Sequence, residues 1–290
     1  ARREAESDGD DRFMDQMLKA GTLADRVAAM TLRVQQSPVH GLGMIDQLLK
    51  LCGKGNHRGA RLALEALVDL FRNNLLPEDR VLLALERRPL LSQDLKRPQH
   101  TLSWTFEAVL KTKFSTLLEH VGLALKDSTG EFRKLGLDCA ADLLESRPEQ
   151  ESALLTMVVN KLGDPDRKVA SRATFRLQLL LKSHGAMAGT LVKFVQAFLG
   201  RQGLSPRATY NAVVFLNQIY LERGDFALAG SLVATYLGLF ESAVGGADKE
   251  VQSRLLAALL TGLARAQPYL ASDFAAASPG GASPGASPAS

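Results

Sequence analysis

The sequence is poor in cysteine and in aromatic residues. Cys52 and Cys139 are the only cysteines among 290 residues, and Phe, Trp and Tyr together make up 6% of the chain. Two cysteines that lie far apart and outside any paired motif argue against a disulfide framework and against a zinc site. The cysteine content therefore favours a protein of a reducing, intracellular compartment.

Long apolar runs are also missing. No uninterrupted run approaches the roughly 18 residues that cross a bilayer, so we expect no membrane-spanning segment and no membrane partner. Residues 1–11 have no apolar core, which argues against a secretory signal and favours a fragment boundary. With 46% hydrophobic and 23% charged residues, the composition is that of a globular protein with a sizeable core.

The motifs of catalysis and cofactor binding are absent as well, since the sequence has no His-Glu-x-x-His, no Cys-x-x-Cys and no Walker-type glycine loop. In Gly53–Gly59, Lys54 is misplaced for a phosphate-binding loop, so we interpret this run as a turn between helices. Gly281–Gly285 matches the nucleophile-elbow pattern only formally, because no strand precedes it. The five histidines share no metal-ligand spacing. We expect no catalytic residue, no metal, no cofactor and no small-molecule substrate.

What the sequence has in abundance is helical periodicity. Leu23, Val27, Met30 and Val34 form one stripe of a helix that Thr22 can cap at its N-terminus. The same pattern predicts further helices at about 40–52, 58–73, 78–87, 103–126, 131–146, 149–162, 166–183, 187–200, 206–222, 225–243 and 248–267. The prolines, Pro268 among them, fall at the proposed junctions. No alternating run reaches strand length, so we predict an all-α protein.

The helical segments repeat with a period of about 37 to 41 residues. Residues 62–71 align with 135–144, and the small or apolar positions of 132–144 recur at 169–181 and again at 208–216. Two helices per period are typical of HEAT-like α-solenoids of paired antiparallel helices. The sequence therefore predicts such a solenoid, and an irregular helical bundle is the alternative.

The same patterns predict three regions along the chain. Residues 1–20 form a charged, flexible lead-in with a short helix, and residues 21–274 form the HEAT-like array. An irregular loop interrupts the array at about 88–103. Residues 275–290 contain only Ala, Ser, Pro and Gly, a composition that we expect to be disordered.

Basic residues concentrate in one part of the chain. Between Lys161 and Arg207 nine basic residues face two acidic ones, a local charge of +7 within a total of +4. A basic ridge suits a phosphate backbone, although an ordinary solvated face remains the alternative. A second cluster follows Gly53, and a third (Arg87, Arg88, Lys96, Arg97) lies in or beside the loop. The RNA-binding candidates are Lys168, Arg172, Arg176, Arg201 and Arg207, followed by Lys54, Arg58 and Arg61.

Several short segments resemble, in order and in register from about residue 20 to 270, the nucleolar complex protein one family, also called the CCAAT/enhancer-binding protein zeta or CCAAT-binding-factor family. The segments that carry the resemblance are 21–32, 36–40, 66–71, 75–77, 104–107 with 110–111, 147–150, 159–165 with 168–171, 215–218, 259–262 and 268–269. The family's chains continue beyond the position of Tyr269 with a further helical region. This departure puts direct partner binding by the present chain in doubt.

The resemblance implies a non-catalytic ribosome-biogenesis factor of the nucleolus and nucleus. Such a factor would serve as a scaffold in early assembly of the large ribosomal subunit. Its partners would be a nucleolar complex protein two-like factor, proteins of the pre-ribosomal particle and precursor ribosomal RNA. The alternative is a transcriptional co-regulator, a protein-interaction solenoid at CCAAT promoters, with partner contacts through Leu90, Leu91 and Leu95. Nothing in the residues resembles a motif that reads a DNA groove.

Overall fold

The computed structural model describes residues 12, 14–53, 56–88, 98–243 and 249–276, and within these ranges it contains helices and no strands. The α-helices are α1 (14–20), α2 (Leu23–Gln36), α3 (Leu42–Cys52), α4 (His57–Leu70), α5 (Pro98–Leu125), α6 (Gly130–Ser146), α7 (Glu151–Asn160), α8 (Arg167–Ser183), α9 (Ala188–Leu199), α10 (Pro206–Leu216), α11 (Phe226–Ala243) and α12 (Lys249–Ala276). A π-helical turn (Phe71–Leu75) extends α4, and 3-10 turns occupy Leu85–Arg87, Lys161–Gly163 and Gly185–Met187. The all-α prediction is confirmed for the described residues.

Side chains in front of the helices supply several of the caps that the sequence indicates. Thr22 and Asp25 form a reciprocal capping box at the start of α2, with the Asp25 amide 3.3 Å from the Thr22 hydroxyl and the Thr22 amide 2.9 Å from the Asp25 carboxylate. The Asn56 side chain accepts from the Arg58 and Gly59 amides at the start of α4, and the Ser205 side chain accepts from the Ala208 amide at the start of α10. Asp166 accepts a hydrogen bond from the Lys168 amide at the start of α8. These caps fix where the candidate helices begin.

The chain divides into two compact units, and each is described by itself. Unit 1 lies within residues 1–161 and 165–183, and unit 2 lies within residues 162–164 and 184–290. In unit 1 each of the pairs α3 with α4, α5 with α6 and α7 with α8 packs together. Helices α4, α6 and α8 follow one another in one layer, and α3, α5 and α7 follow one another in a second layer. This two-layer pairing agrees with the two helices per period that the sequence predicts, and the HEAT-like solenoid stays a prediction.

Small residues set the distance between the layers of unit 1. Gly136 of α6 lies so close to α5 that an added Cβ would come within 3.0 Å of the Ala124 Cβ and the Leu125 amide nitrogen. In α8, Val169 and Ala173 are fully buried, as the alignment of the repeats predicts. Most other core residues of the unit are Leu, Val and Ala, and Phe71 packs against Phe114 at a ring separation of 5.2 Å.

In unit 2, α12 packs along both α10 and α11. The closest approach is at Gly262, where an added Cβ would clash with the Asn217 amide oxygen and lie 2.7 Å from the buried Tyr236 ring. Asn217 also donates a 2.7 Å hydrogen bond to the Ala258 carbonyl, so it ties the end of α10 to α12. α10 ends at Leu216, six residues before the predicted end at 222.

Three further boundaries differ from those predicted. The predicted helix at 78–87 is wrong, because residues 81–84 are non-helical and lead into the 3-10 turn. α5 begins at Pro98, five residues inside the segment predicted as a loop. α12 runs through Pro268, which was expected at a junction, and ends at Ala276. Pro268 is exposed while Ala266 is buried, so packing of α12 outweighs the cost of about 3 kcal/mol of an internal proline.

No helix among the described residues is both long enough and apolar enough to span a membrane.

Candidate nucleic-acid interface

A groove of about 630 Å³ runs across the layer of α4, α6 and α8 in unit 1. Its floor is apolar and includes Val68, Leu135 and Cys139. Its walls carry five basic side chains (Arg61, Arg72, Lys134, Lys168 and Arg172) and five acidic ones (Glu65, Asp69, Glu131, Asp138 and Asp142). The groove is therefore balanced in charge, and a phosphate would be attracted most strongly where a basic side chain has no acidic partner.

The fold brings together candidates that are far apart in sequence. Arg61 lies on α4, whereas Lys168 and Arg172 lie on α8, and all three line this groove. Arg61 pairs with Glu65 one turn along α4, at 3.0 Å, and such an exposed pair contributes little to stability. The groove therefore joins the first and second basic clusters of the sequence on one surface of unit 1.

Two of the predicted basic residues hold α8 against α6. Arg172 donates through Nε to Asp138 at 2.9 Å, and Arg176 donates to Asp142 and approaches Glu145 at 3.9 Å. The Arg176 side chain is 10% exposed, whereas that of Arg172 is 42% exposed. Arg176 is thus placed for packing inside the unit, while Arg172 keeps donors at the surface.

Lys168 stands at the rim of the groove and is exposed. The charge of Lys168 acts on Glu131, whose pKa is lowered first by the hydrogen bond from Lys134 and to a smaller extent by Lys168. Arg72, on the opposite wall, is also exposed, and its side chain was missed by the sequence reasoning. A helical projection of α4 places it on the face of Arg61 and Glu65, which is the signal that could have found it.

The start of α4 contributes Arg58, which is exposed beside the cap formed by Asn56. Its neighbour His57 stacks on Phe132 with the ring centroids 4.7 Å apart and lies 3.2 Å from the Asp127 carboxylate. The His57 side chain is therefore held by contacts inside unit 1, whereas the side chain of its neighbour Arg58 is exposed to solvent. Lys54 lies outside the described residues.

The last two RNA candidates belong to unit 2. Arg201 places its guanidinium carbon 5.6 Å from the centre of the Phe198 ring. Arg207 is exposed in the first turn of α10. Neither residue lines the groove of unit 1. The partner candidates Leu90, Leu91 and Leu95 lie outside the described residues.

An aromatic side chain that the sequence reasoning passed over lies on the same face of α8. Phe175 is 51% exposed, and the Arg172 guanidinium lies over its ring at 5.6 Å. The spacing of Lys168, Arg172 and Phe175 is i, i+4 and i+7, which is one helical stripe. The basic face of α8 therefore includes an aromatic surface.

A separate cluster of buried charges holds the irregular segment before residue 89 against α5. Glu107 accepts hydrogen bonds from Arg80 at 2.6 Å, from Arg88 at 2.5 Å and from the Leu83 amide at 2.8 Å. Burial raises the pKa of Glu107, but the Arg80 and Leu83 hydrogen bonds and the two arginine charges outweigh it, so the net pKa is lowered. This clamp explains why the segment is not a helix: its amides bond to carboxylates.

Glu149 completes the attachment from the other side. It is 2% exposed and accepts from the Leu82 amide at 2.6 Å and from Lys111 at 3.1 Å. The next residue, Gln150, has a left-handed backbone (φ 52°) and bonds to Ser115 at 2.8 Å. Several residues that carry the family resemblance, including Glu107, Lys111 and Glu149, therefore serve to fold the chain rather than to present a surface.

Neither a metal site nor a reactive thiol is indicated among the described residues. No group of three or more His, Cys, Asp or Glu side chains in these ranges is arranged to hold a metal ion. Burial raises the pKa of Cys52 and of Cys139 to about 12, so both thiols are protonated at neutral pH.

Comparison with known proteins identifies relatives across most of the chain, although no protein-family model matches it. It is 36% identical over 265 residues to human "CCAAT/enhancer-binding protein zeta", which covers 89% of this chain. It is 32% identical over 309 residues to "Ribosome biogenesis protein NOC1" of Chaetomium thermophilum, again covering 89%. Drosophila melanogaster "Nucleolar complex protein 1" is 31% identical over 270 residues and 89% of the chain. These matches confirm the resemblance carried by the short segments.

The chain spans about a quarter of the length of the curated relatives it matches: 25% of the human protein, 30% of the Chaetomium protein and 23% of the Drosophila protein. Among solved structures, an engineered protein superposes with a TM-score of 0.36 at 14% identity, covering 87% of this chain and 95% of that chain. That structural likeness is too low to carry an argument.

Proposed function

Since the chain belongs, as a segment, to the nucleolar complex protein 1 and CCAAT/enhancer-binding protein zeta family, we propose that it is a non-catalytic scaffold in nucleolar assembly of the large ribosomal subunit. The observation that carries the proposal is the similarity over about nine-tenths of the chain to proteins named for ribosome biogenesis and the nucleolus. The protein acts by binding precursor ribosomal RNA and partner assembly factors, among them a nucleolar complex protein two-like factor.

The arrangement of unit 1 supports the mechanical part of this proposal. Paired helices in two layers place one helix of each pair at a continuous surface, as HEAT-like solenoids do. In this proposal the HEAT-like pairing continues along the chain, and its buried stripes maintain the scaffold. Its outward faces then bind the RNA and the partner proteins.

The exposed basic side chains of the α4–α6–α8 layer support the RNA-binding part. Lys168, Arg58 and Arg72 are exposed, and the described residues include no ion pair for any of the three. Such groups can release counterions on meeting a phosphate without first breaking an internal bond. In the proposed interface they supply the ionic contacts, and Arg61 and Arg172 assist from positions in which they keep an acidic partner.

Crosslinking in cells tests the proposal. The tagged protein is crosslinked to RNA by ultraviolet light and the attached RNA is sequenced, with wild type compared with Lys168→Glu and with Lys126→Glu. The Lys126 side chain is exposed at the end of α5, in the other layer, and gives the matched change in charge. We expect precursor ribosomal RNA with wild type and with the Lys126 variant, and less of it with the Lys168 variant. No enrichment of precursor ribosomal RNA with wild type would refute the proposal.

A second function is favoured by the name of the human relative, "CCAAT/enhancer-binding protein zeta". In that case the chain is a protein-interaction module of a transcriptional co-regulator, and Leu90, Leu91 and Leu95 are its proposed contacts. Chromatin immunoprecipitation in the same cells separates the two functions. Enrichment of CCAAT promoters without crosslinked precursor ribosomal RNA would support the second one.

A further inference from the structure

We propose that Phe175 and Arg172 form a binding site for one unpaired nucleotide of single-stranded RNA, in which the base stacks on Phe175 and its phosphate contacts Arg172 and Lys168. This inference rests on the proposed function and names the kind of RNA that the surface of α8 takes. It also adds a residue, Phe175, that has no basic or acidic group and was not among the candidates.

Exposure of one aromatic ring would not by itself indicate a site, because single apolar side chains are common on protein surfaces. Phe175 and Tyr220 are the aromatic residues among the large exposed side chains of the described residues, at 51% and 76%. What distinguishes Phe175 is its setting. It follows Lys168 and Arg172 on one stripe of α8, whereas Tyr220 lies in an irregular segment of unit 2.

The orientation of Arg172 is fixed before any ligand arrives. Its Nε donates to Asp138 at 2.9 Å, and its guanidinium carbon lies over the Phe175 ring at 5.6 Å, within the range of a cation–π contact. Among the described residues neither Nη1 nor Nη2 has a further hydrogen bond. The two terminal amino groups can therefore bind phosphate oxygens without loss of the contact to Asp138.

The hydrogen-bond donors beside the ring suit a phosphate-bearing ligand better than an apolar peptide. Lys168 is exposed one turn before Arg172, and both line the rim of the groove. Lys168 and Arg172 can contact only the phosphate, whereas the Phe175 ring offers a flat apolar surface for the base. Unpaired bases stack on such rings in many single-strand binding sites. A duplex keeps its bases stacked on one another, so it would use Lys168 and Arg172 and not Phe175.

The test measures affinity of the 290-residue chain for a fluorescein-labelled 12-nucleotide oligouridine and for an RNA duplex of equal length, by anisotropy at several salt concentrations. Phe175→Ala should weaken single-strand binding by about five-fold or more, the low end for loss of one stacked base. The salt dependence should stay unchanged because no charge is removed, and duplex binding should stay unchanged as well. Phe175→Trp should restore single-strand affinity.

Two controls keep the test decisive. Phe175→Leu retains apolar volume without a π surface, so it should bind as weakly as the alanine variant, and Tyr220→Ala should bind as wild type does. If Phe175→Ala or Phe175→Leu keeps full single-strand affinity, or if the alanine variant loses equal affinity for the duplex, the base-stacking site is refuted. A Phe175 that contacts a protein would give the first of these results. If wild type binds neither RNA, the RNA-binding proposal itself fails.

Discussion

Arg176 and Lys168 share the basic face that the sequence predicts for α8, yet the fold gives them different tasks. The contrast is tested with Arg176→Ala and Lys168→Ala. The Arg176 side chain is 10% exposed and is paired with Asp142, so its loss leaves a carboxylate without its partner and a gap between α6 and α8. Lys168 is exposed at the rim of the groove.

The expected size follows from burial. Removal of one member of a fully buried ion pair costs about 3–5 kcal/mol, and a charged hydrogen bond contributes about 1.5–3 kcal/mol. Asp142 is 35% exposed and can be hydrated again, so Arg176→Ala should destabilise the protein by about 2 kcal/mol. At about 2–4 °C per kcal/mol for units of this size, Tm should fall by about 4–8 °C. Lys168→Ala should stay within about 0.5 kcal/mol of wild type.

Thermal unfolding followed by circular dichroism measures the change in Tm of each variant. RNA affinity as a function of salt measures whether the variant has lost a phosphate contact. For a single strand, each lost phosphate contact reduces the magnitude of the negative slope of log K against log salt by about 0.7. Lys168→Ala should show that loss, and Arg176→Ala should not. An Arg176 variant with unchanged Tm and a reduced salt slope would show that Arg176 is a phosphate ligand and that the inference from burial is wrong.

Three more predictions concern packing, pH and thiol chemistry. Gly262→Ala should destabilise the protein by about 1–3 kcal/mol in urea unfolding, because the added Cβ meets Asn217 and Tyr236. The control Gly238→Ala lies on open helix surface and should stabilise the protein by about 0.5–1 kcal/mol. Equal effects of the two variants would contradict the close approach at Gly262. Because the pKa of Glu107 is lowered on folding, the ionised Glu107 stabilises the fold above the ordinary pKa of 4.5, and this stabilisation is lost as the pH falls through the lower folded pKa. Glu107→Gln should flatten this part of the curve of stability against pH. An unchanged curve would show that the Glu107 hydrogen bonds and ion pairs are not its source. Cys52 and Cys139 should resist iodoacetamide at pH 8 until urea unfolds the chain, because the pKa of both thiols is raised to about 12. Rapid labelling of the native protein would contradict the raised pKa.

Helix type and most helix positions follow from local sequence. The stripe from Leu23 to Val34 and the Thr22 cap predict α2 within a residue, because apolar spacing and capping act within a few turns. The segment 78–87 has similar spacing and is nevertheless not an α-helix, since its amides and carbonyl bond to Glu107, Glu149 and Lys111. Those partners lie 24 to 67 residues away, so no local pattern reports them.

The candidate site shows the same division. Charge spacing on α8 predicts a basic face, and Lys168 and Arg172 lie on it at the groove. The spacing does not show that α6 places Asp138 and Asp142 opposite Arg172 and Arg176, each 34 residues away in sequence. Phe175 could have been found on a helical projection, but its exposure depends on which side of α8 the rest of unit 1 covers.

The all-helical class, the basic bias of residues 161–207 and the family can be read from the amino-acid sequence without a structure. All of these depend on residue type and short-range spacing, or on words preserved among relatives. Packing settles which charged side chains pair inside the fold and which face outward. A basic residue looks the same in the sequence whether it is paired inside the fold or exposed. Whether it can bind a phosphate depends on the carboxylate that packing places beside it. Arg176 and Lys168, two turns apart on one helix, differ for that reason.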